Sequence, residues 1–170
     1  MDSDEALAAR GSREAFEELY ARHKTGLFQF ILRQVRDESL ADDLFQATVL
    51  KAFRNLNTFR GQSQFRTWLF TIAMRTVIDD RRGAARRPTA AEMPEIAVEP
   101  RESAGEELEI LRRALDELPP AHKALFLLVR YHGLKVAEAA EAAGLSPASG
   151  KVTLFRIQKK LGELLTKVKP

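Results

Sequence analysis

The chain has 170 residues, 45% of them hydrophobic and 30% charged, with a formal net charge of +3. Such a length holds one domain or two small ones, and the composition is globular rather than disordered. The absence of Cys excludes disulfides, a thiol nucleophile and cysteine metal sites, and the three His (His23, His122, His132) are scattered without metal-ligand spacing.

No apolar run approaches the roughly 20 residues that span a bilayer. The opening MDSDEALAAR is acidic and lacks the apolar stretch of a secretory signal, so no membrane insertion and a cytoplasmic location are expected. The modest net charge hides an asymmetry. Residues 1–50 carry 6 Lys/Arg against 10 Asp/Glu, residues 51–87 carry 9 against 2, and residues 142–170 carry 6 against 1. Two basic blocks in separate parts of a small chain fit two contacts with a polyanion; two solvated helix faces are the alternative.

In chain order, Phe16, Leu19, Tyr20, Leu27, Phe30, Ile31 and Val35 recur at helical steps and predict an amphipathic helix over 12–36, with a break near Gly26. Ser39 and Asp42 resemble a capping box and start a second helix that reaches about Asn55, with Leu40, Leu44, Ala47 and Leu50 facing inward. NTFRGQSQ (57–64) is a loop. A third helix covers about 65–82, with Phe65, Trp68, Leu69, Ile72 and Thr76 on one stripe; Phe70, Val77 and Ile78 lie off it, so this helix packs on more than one side.

Between Phe70 and Phe126 there is no aromatic residue, and GAARRPTAAEMPEIAVEPRESAGEE (83–107) is rich in Ala, Glu and Pro without apolar periodicity. It reads as a flexible linker, giving an N-terminal domain over 10–83, a linker over 84–106 and a C-terminal domain over 107–170. In the last, EELEILRRALDEL is a helix stopped by Pro119-Pro120, and AHKALFLLVRYH is a second helix ended by Gly133. KVAEAAEAAG is a short third helix. Ser146 and Pro147 supply the N-cap and first residue of the last. No strand pattern and no repeat is present, so the fold class is all-α.

Two constellations carry function. Val136, Ala139, Ala140 and Ala143 form a small-residue face, followed by a Gly144-Leu145-Ser146 turn. The last helix then buries Leu154, Ile157, Leu161 and Leu164 and presents Ser149, Val152, Thr153, Arg156 and Lys159 or Lys160 on the other side. This is the pattern of a helix-turn-helix whose second helix enters the major groove. Arg156 suits guanine or phosphate, Thr153 and Ser149 suit bases or backbone, and Val152 suits a thymine methyl; an ordinary helical hairpin with a basic face is the bland reading. The second constellation is FRGQSQFRTWLFTIAMRTVIDDRR (59–82), with three Phe, five Arg and the only Trp. Aromatic faces stack on unpaired bases while arginines hold the backbone, and the polar loop Arg60-Gly61-Gln62-Ser63-Gln64 suits a flipped base. Aromatics at helical spacing also serve as core. No catalytic residues, cofactor or metal site are expected, since neither a convergent His/carboxylate pattern nor a phosphate loop is present.

DDLFQATVLKAFRNLNTFRGQSQFRTWLFTIAMRTVIDDRR resembles region two of the extracytoplasmic-function sigma factors of bacterial RNA polymerase, with FRTWL its most specific part. LDELPPAHKALFLLVRYHGLKVAEAAEAAGLSPASGKVTLFRIQKKL resembles region four, and the two occur in the family's order over nearly the whole chain. The resemblance implies a promoter-recognition subunit that binds the polymerase core at the β′ clamp and β flap and binds promoter DNA. An anti-sigma factor is expected as a further partner. It further implies that Asp42, Asp43, Gln46 and Leu50 meet the core. Arg60, Gln62, Ser63, Gln64, Phe65, Arg66, Trp68, Thr71 and Arg75 would take the −10 strand, and Ser149, Lys151, Val152, Thr153, Phe155, Arg156 and Lys159 the −35 duplex.

Some positions depart from the family pattern. Ala47 and Val49 replace an acidic residue and Phe, Arg75 stands where Asn is frequent, Gly150 replaces an apolar residue, and Thr153 replaces a basic one. A sigma-like decoy that binds regulatory proteins without directing transcription is the alternative reading, with Gly150 and Thr153 as decay of the DNA face.

Overall fold

A computed structural model describes residues 1–86 and 105–168. These residues form eight α-helices and one 3₁₀ turn, with no strand among them, and they fall into two compact units, 1–86 and 105–168.

The first unit starts earlier than expected. Helix α1 (Asp4–Arg10) is capped by Ser3, whose hydroxyl accepts from the Ala6 N–H at 3.1 Å, and is stopped by Gly11 at φ 61°. It buries Leu7 and Ala8, which ties residues before position 10 into the unit. Helix α2 (Arg13–Val35) is capped by Ser12 and runs unbroken through Gly26. The expected break is absent because Leu27, Phe30 and Ile31 are fully packed there, and such burial outweighs the roughly 1 kcal/mol propensity cost of glycine.

Helix α3 (Glu38–Asn55) is capped by Asp37, whose carboxylate accepts from the Leu40 N–H at 2.9 Å, and not by Ser39. Its buried face is Ala41, Leu44, Thr48 and Ala52. The expected stripe is therefore rotated: Leu40 and Ala47 are half-buried and Leu50 is exposed. The rotation puts small residues where α3 meets its neighbours, and Thr48 avoids an unpaired hydroxyl by donating to the Leu44 carbonyl at 2.7 Å. After the turn Leu56–Thr58, helix α4 (Phe65–Arg86) is the central rod, touched by α1, α2 and α3. Phe65, Leu69, Phe70, Ala73, Met74 and Val77 are all buried, so it packs on more than one side, as its sequence pattern required. It runs four residues beyond the expected end, so Ala84, Ala85 and Arg86 belong to α4. The rest of the expected linker, 87–104, lies outside the described residues.

In the second unit, α5 (Glu106–Asp116) ends before Pro119, and α6 (Pro120–Arg130) begins with Pro120 at a position where its missing N–H costs nothing. Helix α6 ends at Arg130, three residues short of Gly133, which takes φ 65° in the following turn. Its Lys123 is buried and tied to Asp116 at 2.8 Å. Helices α7 (Val136–Ala142) and α8 (Pro147–Val168) follow, separated by Gly144 at φ 79°. Ser146 caps α8 by accepting from the Ser149 N–H at 3.2 Å. Leu154, Ile157 and Leu161 are buried and Leu164 packs against the cluster that Ile157 and Leu161 form with Ala114 and Leu115, so the predicted stripe holds.

Candidate nucleic-acid interface

Three surfaces collect the residues singled out by sequence. On α3, Asp42, Asp43, Gln46 and Leu50 all face solvent, and Gln46 Nε2 donates to Asp42 Oδ2 at 3.0 Å. Beside them runs an apolar groove between α2 and α3, lined by Phe16, Tyr20, Phe45, Val49, Leu50 and Phe53. Phe53 is 46% exposed although its ring packs edge-on with Phe16, centroids 5.0 Å apart. An exposed aromatic beside exposed Leu50 marks an interaction surface. The sequence reading missed Phe53; its position three residues after Leu50, on the same helix side, was the available signal.

The second surface is the loop before α4 and the outward side of that helix. Gly61 at φ 68° turns the loop. Arg60, Gln62 and Gln64 are exposed, and Ser63 is half-buried. Phe59, Phe65 and Trp68 form a cluster with ring centroids 5.5–5.7 Å apart. Within it Phe65 is only 1% exposed and also packs on the His23 ring at 5.6 Å. Phe65 therefore belongs to the core, and its ring has no face open to a base. Trp68 is only half-buried on that support. Trp68, Thr71 and Arg75 follow one another at steps of three and four and share the outward side. Thr71 is half-buried, donating to the Thr67 carbonyl at 2.8 Å, and Arg75 is exposed. Arg66 sits two residues before Trp68, so helical register carries it to the opposite side of the first turn. A further cation joins from α3: Lys51 Nζ donates to Thr76 Oγ1 at 3.2 Å and lies 3.9 Å from Asp79 Oδ2.

Behind this surface, Asp4 of α1 accepts from Arg22 at 2.8 Å and meets His23 Nε2 at 2.5 Å. Burial works against the charge on Asp4, but hydrogen bonds from Arg22 and His23 outweigh it and hold the carboxyl below its ordinary value.

The third surface is on α8. Ser149, Lys151, Val152, Phe155, Arg156 and Lys159 are exposed and Thr153 is half-buried. Val152 is 50% and Phe155 66% exposed, flanked by cations rather than covered. Ser149 is engaged at the helix start, accepting from the Ser146 hydroxyl at 2.8 Å. Gly150 faces the other way. It is buried, and a Cβ placed on it would stand 2.6 Å from the Cβ of Ala140. Gly150 is thus what lets α7 and α8 approach, and it lies away from the exposed face of α8.

Among the described residues no helix is long and apolar enough to cross a membrane. No group of three or more His, Cys, Asp or Glu there is placed to hold a metal ion.

Comparison with known proteins gives the following. Residues 19–87 match Sigma-70 region 2, and residues 108–161 match Sigma-70, region 4. The chain is 32% identical over 159 residues to the RNA polymerase sigma factor CarQ of Myxococcus xanthus, covering 91% of each chain. It is 31% identical over 163 residues to the ECF RNA polymerase sigma factor SigM of Mycobacterium tuberculosis, covering 95% of this chain and 83% of that one. Among solved structures, CnrH in complex with the cytosolic domain of CnrY is 28% identical, with a TM-score of 0.73 over 99% of this chain and 100% of that one.

Proposed function

The chain belongs to the extracytoplasmic-function sigma factors, Sigma-70-type initiation subunits of bacterial RNA polymerase, and from that premise we propose how its surfaces divide the work. It is a transcription initiation factor and not an enzyme. Its partners are the polymerase core and promoter DNA.

The first unit, 1–86, acts as region two and the second, 105–168, as region four, with the segment between them as a tether. Asp42, Asp43, Gln46 and Leu50 dock α3 on the β′ clamp, with the neighbouring apolar groove adding contact area. Arg60, Gln62, Ser63 and Gln64 receive the flipped −10 base, and Trp68 rather than Phe65 offers the ring. Thr71 and Arg75 continue the track along α4, while Arg66 acts from the side of the first turn. Unstacking a base costs a few kcal/mol; stacking on an aromatic returns roughly 1–3 kcal/mol per base, so opening needs the loop contacts and the core as well. Region four reads the −35 duplex through Ser149, Lys151, Val152, Thr153, Phe155, Arg156 and Lys159, and touches the β flap. Two modest DNA sites on one tether raise each other's effective concentration.

The observation that carries this reading is α8, with Leu154, Ile157 and Leu161 buried and Lys151, Val152, Phe155, Arg156 and Lys159 exposed on the other side. The protein works in the cytoplasm, and its further partner is an anti-sigma factor; the relative CnrH forms a complex with the cytosolic domain of CnrY. The test is run-off transcription by purified protein and core polymerase on a pooled promoter library. Specific transcripts with shared upstream −35 and −10 motifs are expected. Core binding without any specific transcript overturns the promoter-directing role.

A further inference from the structure

Among the described residues, no side chain of the loop before α4 accepts from the first N–H groups of the helix. The first N–H groups of a helix have no partner inside it. Gln64, which precedes α4, is not among the short polar side chains that serve them well, and the Ser63 hydroxyl donates instead to the Gln64 carbonyl at 3.4 Å. The N–H of Phe65 is met from 60 positions away in sequence: Glu5 Oε1, on α1, accepts from it at 3.3 Å. A carboxylate at this end also complements the positive end of the helix dipole.

Helix α1 is itself firmly seated. Leu7 is fully buried, and Asp4 holds Arg22 and His23 of α2. The His23 ring lies against Phe65, and Phe65 supports Trp68. The same short helix thus reaches the first turn of α4 twice, once at its backbone and once through His23 at the ring beneath Trp68. We propose that α1 is a strap that sets the first turn of α4 and the loop leading into it, with Glu5 a positioning residue for capture of the −10 strand. The proposal rests on the region-two role assigned above.

The test uses full-length protein in holoenzyme. Glu5→Ala removes the acceptor while keeping a good helix former in α1; Glu5→Gln keeps an acceptor oxygen without the charge. Three quantities are measured: affinity for core, affinity for a single-stranded non-template oligonucleotide carrying the −10 motif found by run-off transcription, and amide exchange at Phe65–Trp68. Glu5→Ala is expected to weaken strand binding about 5-fold, the size of one lost helix cap. Core affinity should stay unchanged, and faster exchange should be confined to the first turn of α4. Glu5→Gln should recover most of the loss. Unchanged strand affinity in Glu5→Ala, equal loss of core and strand binding, or no recovery in Glu5→Gln each overturn the strap. If unsubstituted holoenzyme shows no preference for the −10 strand, the region-two role falls and the strap falls with it.

Discussion

The two units present cationic helix faces on differently built supports. Eight of the ten Phe and the Trp lie in the first unit, where α4 is wrapped by aromatic and aliphatic side chains on several sides. The second unit joins α7 to α8 through Ala139, Ala140, Ala143 and Gly150, so backbones come close and little side-chain volume intervenes. The difference matches the roles proposed for the two units, an unpaired base on the first and a duplex on the second. A stacked base needs a ring held at a fixed angle, which Phe59 and Phe65 provide for Trp68. A major groove needs a helix that stands out from a thin support, which small residues provide.

The largest effect should come from breaking the thin support. Gly150→Ala normally gains about 1 kcal/mol of helix propensity, yet here its Cβ meets Ala140 at 2.6 Å. Net destabilisation of the second unit by about 1–3 kcal/mol is expected, read by amide exchange in α7 and α8 of the full chain, with Ala140→Gly in the same chain relieving it. A stabilised Gly150→Ala variant would show that the two helices separate easily.

Next comes the aromatic support. Trp68→Ala should slow promoter opening ~10-fold, from about 1–3 kcal/mol of lost stacking, while −35 duplex binding stays unchanged; Trp68→Phe should retain much of the activity. Equal loss of opening and duplex binding in a folded variant would erase the division between the units. On α8, Arg156→Ala should weaken −35 binding by about 1–3 kcal/mol if it reads a guanine. If it holds a phosphate instead, all sequences should weaken alike and the salt slope should fall by about 0.9.

The smallest effect concerns acid stability of the first unit. Asp4 is held below its ordinary value in the folded state. Its contribution is therefore present above the unfolded carboxylate value of about 3.9 and is lost as pH falls through the lower folded value. Asp4→Asn should remove that pH-dependent part, less than ~1 kcal/mol for a partly solvated pair, measured by urea unfolding between neutral and acid pH.

Much of the fold was readable in the sequence because apolar spacing, prolines and glycines act locally. Pro119-Pro120, the Ser146 cap and the stripe Leu154, Ile157, Leu161 and Leu164 all appear where expected. The errors arose where two local signals compete or a distant element intervenes. Asp37 displaced Ser39 as the cap of α3: its carboxylate accepts from the Leu40 N–H at 2.9 Å, and Ser39 falls inside the helix. Leu50 faces outward because α3 turns Ala41, Leu44, Thr48 and Ala52 toward its neighbours.

By itself, the sequence determined the helical class, the division into two units, the family and the basic character of α4 and α8, since these depend on composition, period and short motifs. Only tertiary structure decided which aromatic is buried, Phe65, and which is only half-buried, Trp68. It also decided that Gly150 faces Ala140 and that Glu5 caps a helix 60 positions away. Those outcomes depend on which atoms distant segments bring within a few ångströms of one another, and no local pattern encodes that distance.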